Sequence, residues 1–260
     1  MSGNTRKHEI ELDIQATPEQ VWQAISEGEK LQQWFAPIAK VEPGKSIELG
    51  WSPEMTGKAN VRDWEPGKRM SWVEGEGSER EKVVEFQVQP KDDATTTLRL
   101  VHSGFGAGAE FDNEYDSTHG GWHTFFAAMR HGLERFANKP ARMLSAFRMA
   151  EESKPVVWER CKAELAINTT TEGASYTAKL GTYELVGTIL RAPREGYLCL
   201  RVDSLDDSVL SIFIEGGNKA MVTLQWTLYG DAVSVAPAAE RAIVNFAEKL
   251  TNTGSSANPA

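Results

Sequence analysis

Between residues 38 and 103 the chain is cut into strand-length pieces by turn-forming clusters: Glu42-Pro43-Gly44-Lys45, Ser52-Pro53, Glu65-Pro66-Gly67-Lys68, Glu74-Gly75-Glu76-Gly77 and Gln89-Pro90-Lys91-Asp92-Asp93. Proline presets and glycine permits the backbone angles of tight turns, and β-favouring runs lie between them. The spacing predicts strands near 46–51, 56–64, 69–74, 80–88 and 95–103. Connections this short cannot make the crossover that parallel neighbours need, so the strands run antiparallel. One more strand precedes them. Residues 8–14 alternate strictly, with Ile10, Leu12 and Ile14 on one face and Glu9, Glu11 and Asp13 on the other.

Such a sheet cannot bury its apolar face alone. The cover is predicted over 118–137, where Trp122, Phe125, Phe126, Met129, Leu133 and Phe136 fall at helical spacing. A loop over 104–117, with Gly104, Gly106 and Gly108, leads into it. Two shorter helices follow the first strand. Thr17-Pro18-Glu19-Gln20 carries a capping-box pattern that opens one through Val21, Trp22 and Ile25, and another covers about 28–35 until Pro37 stops it. A curved sheet closed by one long helix can leave a gap between them, which is a candidate ligand cavity.

The second half repeats this order in reduced form. A helix near 155–166 precedes strands near 174–180, 183–191, 196–203, 207–215 and 219–229, and a last helix spans about 236–250. Segment 141–153 reads either as an extension of the long helix or as a strand opening the second unit. The expected domains are 1–140 and 141–250, followed by a small, polar, disordered tail over 251–260.

Composition narrows the function. Lys and Arg number 28 against 37 Asp and Glu, a net charge of −9, which repels phosphate backbones and argues against nucleic acid. No apolar run approaches the ~18 residues of a membrane span, so no integral membrane association is expected. Two cysteines, Cys161 and Cys199, make neither a disulfide framework nor a zinc site. With no apolar leader at the N-terminus, the expected setting is the reducing cytoplasm. No phosphate loop, dinucleotide fingerprint or nucleophile elbow is present, so no cofactor is expected.

Four stretches carry a resemblance: Ala16-Thr17-Pro18-Glu19-Gln20-Val21-Trp22, then Gly28 through Pro37 (GEKLQQWFAP), then Leu100-Val101-His102-Ser103-Gly104-Phe105, and Gly120-Gly121-Trp122. In this order the first half resembles the SRPBCC, or START-like, superfamily, in the branch of the C-terminal domain of the activator of the Hsp90 ATPase (AHSA-type). The second half resembles a degenerate START-like unit. The resemblance implies an α+β helix-grip fold: a curved antiparallel sheet wrapped around a long C-terminal helix, with a central cavity, followed by a reduced unit of similar type. It implies an apolar or amphipathic small-molecule ligand. Two alternatives come with it: a chaperone ATPase regulator with a chaperone as protein partner, and a cyclase, dehydratase or hydrolase using the same cavity. Fold alone does not choose among them.

The candidate lining follows from that picture. The sheet and short helices contribute Trp34, Trp72, Phe86, Leu100 and His102, and the long helix contributes Trp122, Phe126 and Met129. Phe105, Phe111 and Tyr115 in the glycine-rich loop are placed to gate the cavity. Tryptophans can line a pocket and offer the indole N–H to a ligand, or fill the core. Trp34 and Trp122 are the better pocket candidates. His102 shares a face with Leu98 and Leu100 at period two; it reads as a neutral ring bonded to backbone, or as a catalytic acid or base paired with Glu74 or Asp63. His119 and His123 are four apart and could share one face, but no third metal ligand is evident and no metal is expected. Cys161 reads as core, whereas alternation along 197–202 turns Cys199 outward.

Overall fold

The computed structural model describes residues 5–252. The chain divides into two compact units, Met1–Met143 and Leu144–Ala260. The first opens with β1 (Thr5–Ile14), α1 (Pro18–Ser26) and α2 (Gly28–Leu31). There follow β2 (Ile38–Glu42), β3 (Ser46–Ser52), β4 (Met55–Glu65), β5 (Arg69–Glu74), β6 (Lys82–Pro90) and β7 (Thr96–Gly106). A turn of 3-10 helix at Ala109–Phe111 leads into α3 (Asp112–Phe136). The seven strands form one antiparallel sheet in the order β1-β7-β6-β5-β4-β3-β2.

The capping box forms at α1: Thr17 Oγ1 accepts from the Gln20 N–H and Gln20 Oε1 accepts from the Thr17 N–H. The inward residues of β1 pair with those of β7, Ile10 with Leu100 and Leu12 with Leu98. They join Met70, Trp72 and Phe86 from the middle strands and Trp122, Phe126 and Met129 from α3 in one buried cluster. Burial of each such side chain contributes about 1.5–3 kcal/mol. The stripe read from the sequence is therefore the face that α3 lays on the sheet.

Three readings need correcting. The strand β2 was not expected; its five residues, Ile-Ala-Lys-Val-Glu, are too short to show a period and end in a turn cluster. The helix begins at Asp112, so most of the expected 104–117 loop is the end of β7, a 3-10 turn and the first turns of α3. Gly120 and Gly121 sit inside this helix, where each costs about 1 kcal/mol in propensity, so packing sets the helix length here. The third correction, Cys199, belongs to the second unit.

That unit runs β8 (Ala141–Met149), α4 (Lys154–Leu165), β9 (Ser175–Leu180), β10 (Tyr183–Arg191), β11 (Tyr197–Val202), β12 (Ser208–Gly216), β13 (Ala220–Tyr229) and α5 (Ala236–Thr251). The ambiguous segment after residue 140 is thus mostly a strand. The sheet order β8-β13-β12-β11-β10-β9 follows the plan of the first: the opening strand lies beside the closing one, and the rest run back in sequence order. One strand and one short helix fewer make this the reduced copy. Thr251 ends α5; of the expected tail, residues 253–260 lie outside the described residues. Cys199 is fully buried rather than outward, because both faces of β11 are buried, and Ser211 Oγ lies 3.7 Å from its Sγ. Burial pushes both thiols, Cys161 and Cys199, up to about 12, which leaves them unreactive.

Candidate functional site

The end of β7 is where the first unit departs from regular pairing. His8 faces His102 and Lys7 faces Ser103, but Arg6 faces Phe105, so Gly104 is an extra residue. Its φ of +96° suits glycine, and a Cβ there would stand 2.3 Å from the Glu81 carbonyl oxygen. The bulge changes the parity of the strand. His102 and Phe105, three residues apart, both become buried on the inner side.

Around this bulge the rings gather. Phe105 meets His8 and His102 edge-on, with centroids 5.0 and 4.7 Å away. Tyr115, in the first turns of α3, stacks on His8 at 3.9 Å and donates its hydroxyl to the Lys7 carbonyl at 3.0 Å. Phe111 lies against Gly106, whose absent side chain leaves room for that ring. Lys82 pairs with Glu114 at 2.7 Å and Arg6 with Asp112 at 2.6 Å, which fastens the start of α3 to the sheet. Phe111 and Tyr115 therefore stand beside the predicted position, but on a fastened turn and helix rather than on a loop free to gate.

Further along α3, Trp122 stacks on Phe35 with centroids 5.1 Å apart and planes 14° apart, and it also contacts Phe86 and Phe126. Trp34 contacts Phe126, and Trp72 contacts Phe86. Of the predicted lining, Trp34, Trp72, Phe86, Trp122 and Phe126 thus form one ring-to-ring network, with Leu100 and Met129 in the same core. Their indole N–H groups are not free. Trp34 donates to the Ala24 carbonyl at 2.9 Å, Trp72 approaches Glu74 at 3.3 Å, and Trp122 donates to His102 Nδ1 at 3.0 Å. The expectation that Trp34 and Trp122 hold a donor ready for a ligand is corrected: a buried donor without a partner is costly, and the fold supplies partners.

His102 is inward as the alternation predicted, but its partner is an indole rather than backbone. Neither expected carboxylate reaches it: Glu74 is exposed, and Asp63 pairs with Arg69 at 2.9 Å. The catalytic pair proposed from sequence is absent from this arrangement. His8 is the residue that sequence reading missed. It continues the Ile10, Leu12, Ile14 alternation by one more step and is 3% exposed. Both histidines leave Nε2 buried with no partner among the described residues. Burial, with His8 and Lys82 nearby, pushes His102 down to about 3. Burial, with His119, lowers His8 to about 4 against the opposing pull of the Tyr115 backbone and Asp116. Both rings are neutral near pH 7. His119 and His123 do lie together, with centroids 4.4 Å apart, yet among the described residues no group of three or more His, Cys, Asp or Glu is placed to hold a metal ion.

Among the described residues no helix is long and apolar enough to cross a membrane. No curated protein matches the chain. Solved structures that resemble it include the di-domain ARO/CYC BexL from the BE-7585A biosynthetic pathway, at 13% identity over 95% of this chain and 99% of that one, with TM-score 0.45. The Aha1 dimer from Colwellia psychrerythraea aligns at 20% identity over 50% of this chain and 97% of that one, with TM-score 0.43. A protein from Mesorhizobium loti aligns at 23% identity over 50% and 98%, with TM-score 0.43. The family model described as activator of Hsp90 ATPase homolog 1-like protein matches residues 15–134, a stretch that runs from the end of β1 almost to the end of α3. By that match the first unit of this chain resembles the AHSA1-type family over residues 15–134, and its sheet is closed by one long helix as the resemblance implies.

Proposed function

We propose that the first unit binds a hydrophobic or amphipathic small molecule between β1, β7 and α3. The observation that carries this reading is the pair of orphaned nitrogens, His8 Nε2 and His102 Nε2. Buried polar atoms nearly always have partners, and each orphan costs about 1–3 kcal/mol. A fold that keeps two side by side, against the rings of Phe105 and Trp122, supports an outside molecule as the missing partner. The proposed setting is the reducing cytoplasm, consistent with two free buried cysteines. Native mass spectrometry after gentle purification, with a panel of fatty acids, polyketides and aromatic compounds, tests the reading. A bound species that is lost in Trp122→Ala supports it; no bound species across the panel rejects it.

The family match favours a second reading, regulation of a chaperone ATPase through a protein surface. The discriminating measurement is the ATPase rate of an Hsp90-type chaperone with saturating amounts of this protein. An unchanged rate disposes of the regulator.

A further inference from the structure

We propose that the second unit binds a small organic anion with a flat apolar body in a groove between α5 and the β9–β10 hairpin, with the Lys179 ammonium and the Arg241 guanidinium as its anchors. This site is built from other elements than the one above and does not depend on it.

The groove follows from the local sequence. β9 is the end strand of its sheet, and Leu180 pairs with Tyr183 across a two-residue turn, Gly181-Thr182, in which Gly181 takes a φ of +59°. Helical spacing supplies the other wall. Ala239, Ile243, Phe246 and Leu250 turn α5 toward the core, so Ala238, Arg241, Ala242 and Asn245 share a flank that faces the hairpin. A Cβ on Gly181 would stand 3.8 Å from the Ala242 methyl, so helix and hairpin tip meet through small residues. The space left open is about 520 Å³, within the range of small-molecule sites. Phe246 and Tyr183 supply its aromatic surface, and Tyr183 is held edge-on against Trp226 with centroids 5.2 Å apart.

Charge selects the ligand. Lys179, Arg241 and Lys249 line the groove with one carboxylate, Glu164, and that carboxylate is paired with Lys249. Two positive charges are left over. Among the described residues neither Lys179 nor Arg241 forms a hydrogen bond or ion pair, and the Tyr183 hydroxyl and Asn245 carboxamide have no hydrogen-bond partner. Glu184 stands opposite Lys179 in the β9–β10 register without coming within ion-pair distance, and it does not line the groove. In a chain of net charge −9, a concave spot with two uncompensated cations concentrates anions locally. A carboxylate or phosphate head suits the planar fork of Arg241 and the ammonium of Lys179. The rings of Phe246 and Tyr183 then take a flat apolar body.

Alanine-methyl NMR of the full chain reads the groove at Ala238 and Ala242. Titration with naphthoate and with naphthyl phosphate is expected to move both resonances, and the tighter of the two identifies the head. The better anion should bind about tenfold or more tighter than naphthalenemethanol, the decade that a charge-assisted hydrogen bond supplies. Lys179→Gln combined with Arg241→Gln should remove that preference, and added salt should weaken the anions alone. Ala238→Phe keeps both charges but fills the space, and should abolish the shift at Ala242. All three substituted positions are exposed, so the fold tolerates the changes. The proposal is overturned if neither anion moves the two resonances at about 1 mM, or if the alcohol binds as well as the anions. An undiminished anion preference in the double variant, or undiminished binding in Ala238→Phe, overturns it too. Each of these outcomes leaves the first-unit reading where Trp122→Ala puts it.

Discussion

Trp122 of the first unit gives its indole N–H to His102, while Trp226 of the second gives its own to Ser208 Oγ at 2.9 Å. The second transaction closes: serine and indole satisfy each other inside an aliphatic core of Leu198, Leu200, Leu210, Ile212 and Leu224. The first passes the need along, because His102 is left with an unanswered nitrogen next to His8. Among the described residues, the second unit has one such buried atom, Ser145 Oγ, and it lies on the face of β8 opposite Leu144 and Ala146. Two sheets of one strand plan thus carry different interiors. An interior that completes its own hydrogen bonds keeps their stability; one that leaves Arg6 Nη2, His8 Nε2 and His102 Nε2 unanswered gives some of it up, which is what the proposed binding reading draws on.

The comparison can be broken most forcefully at Trp226. Trp226→Ala should cost about 3–5 kcal/mol, read as a lower urea midpoint, while the bound species sought by native mass spectrometry is retained with unchanged affinity in the protein that remains folded. A matching loss of affinity would place ligand recognition in both units. Acid comes next. With their pKa values depressed below the ordinary value near 6.5, His8 and His102 contribute stability that is complete above about pH 6.5. It is lost as pH falls toward about 4 for His8 and about 3 for His102, because the unfolded chain takes up protons that the folded one refuses. The His8 shift alone is worth on the order of 3 kcal/mol. Denaturant titrations between pH 7 and pH 4 should show that slope, made shallower in His8→Phe; an unchanged slope in the variant removes His8 from the account.

Smaller effects sharpen the same contrast. Gly104→Ala should cost about 1–3 kcal/mol through backbone strain and displace His102, seen as a changed imidazole resonance. A variant as stable as the parent with an unmoved resonance would show that the bulge does not set this ring. Last, His8→Phe should raise the melting temperature by an amount equivalent to about 1 kcal/mol, since it removes a buried orphan and keeps a ring against Tyr115. A fall in stability would mean that the His8 Nε2 atom is satisfied after all.

Much of this was legible in the sequence, and the reasons are local. The turn clusters cut the strands correctly, the box at Thr17 formed, and the stripe of Trp122, Phe126 and Met129 named the helix face that packs. What escaped depended on partners far along the chain. Alternation carried His8 inward, but only the pairing of β1 with β7, about ninety residues away, gives it His102 as a neighbour. Gly104 read as loop glycine, whereas it is the bulge that lets His102 and Phe105 face the same way. Alternation turns Cys199 outward only if the strand has one wet face, whereas every residue of β11 but the half-buried Arg201 is buried.

The joining of β1 to β7 has a consequence for how the polypeptide is made. Ile10 and Leu12 leave the ribosome long before Leu98 and Leu100, the residues they pair with, exist. During that interval the N-terminal ribbon has an oily edge and nothing to zip onto. Placing a slow codon stretch just before Thr96 should therefore increase aggregation in cell-free synthesis, whereas the same pause placed far enough beyond Gly106 for β7 to have left the ribosome should not.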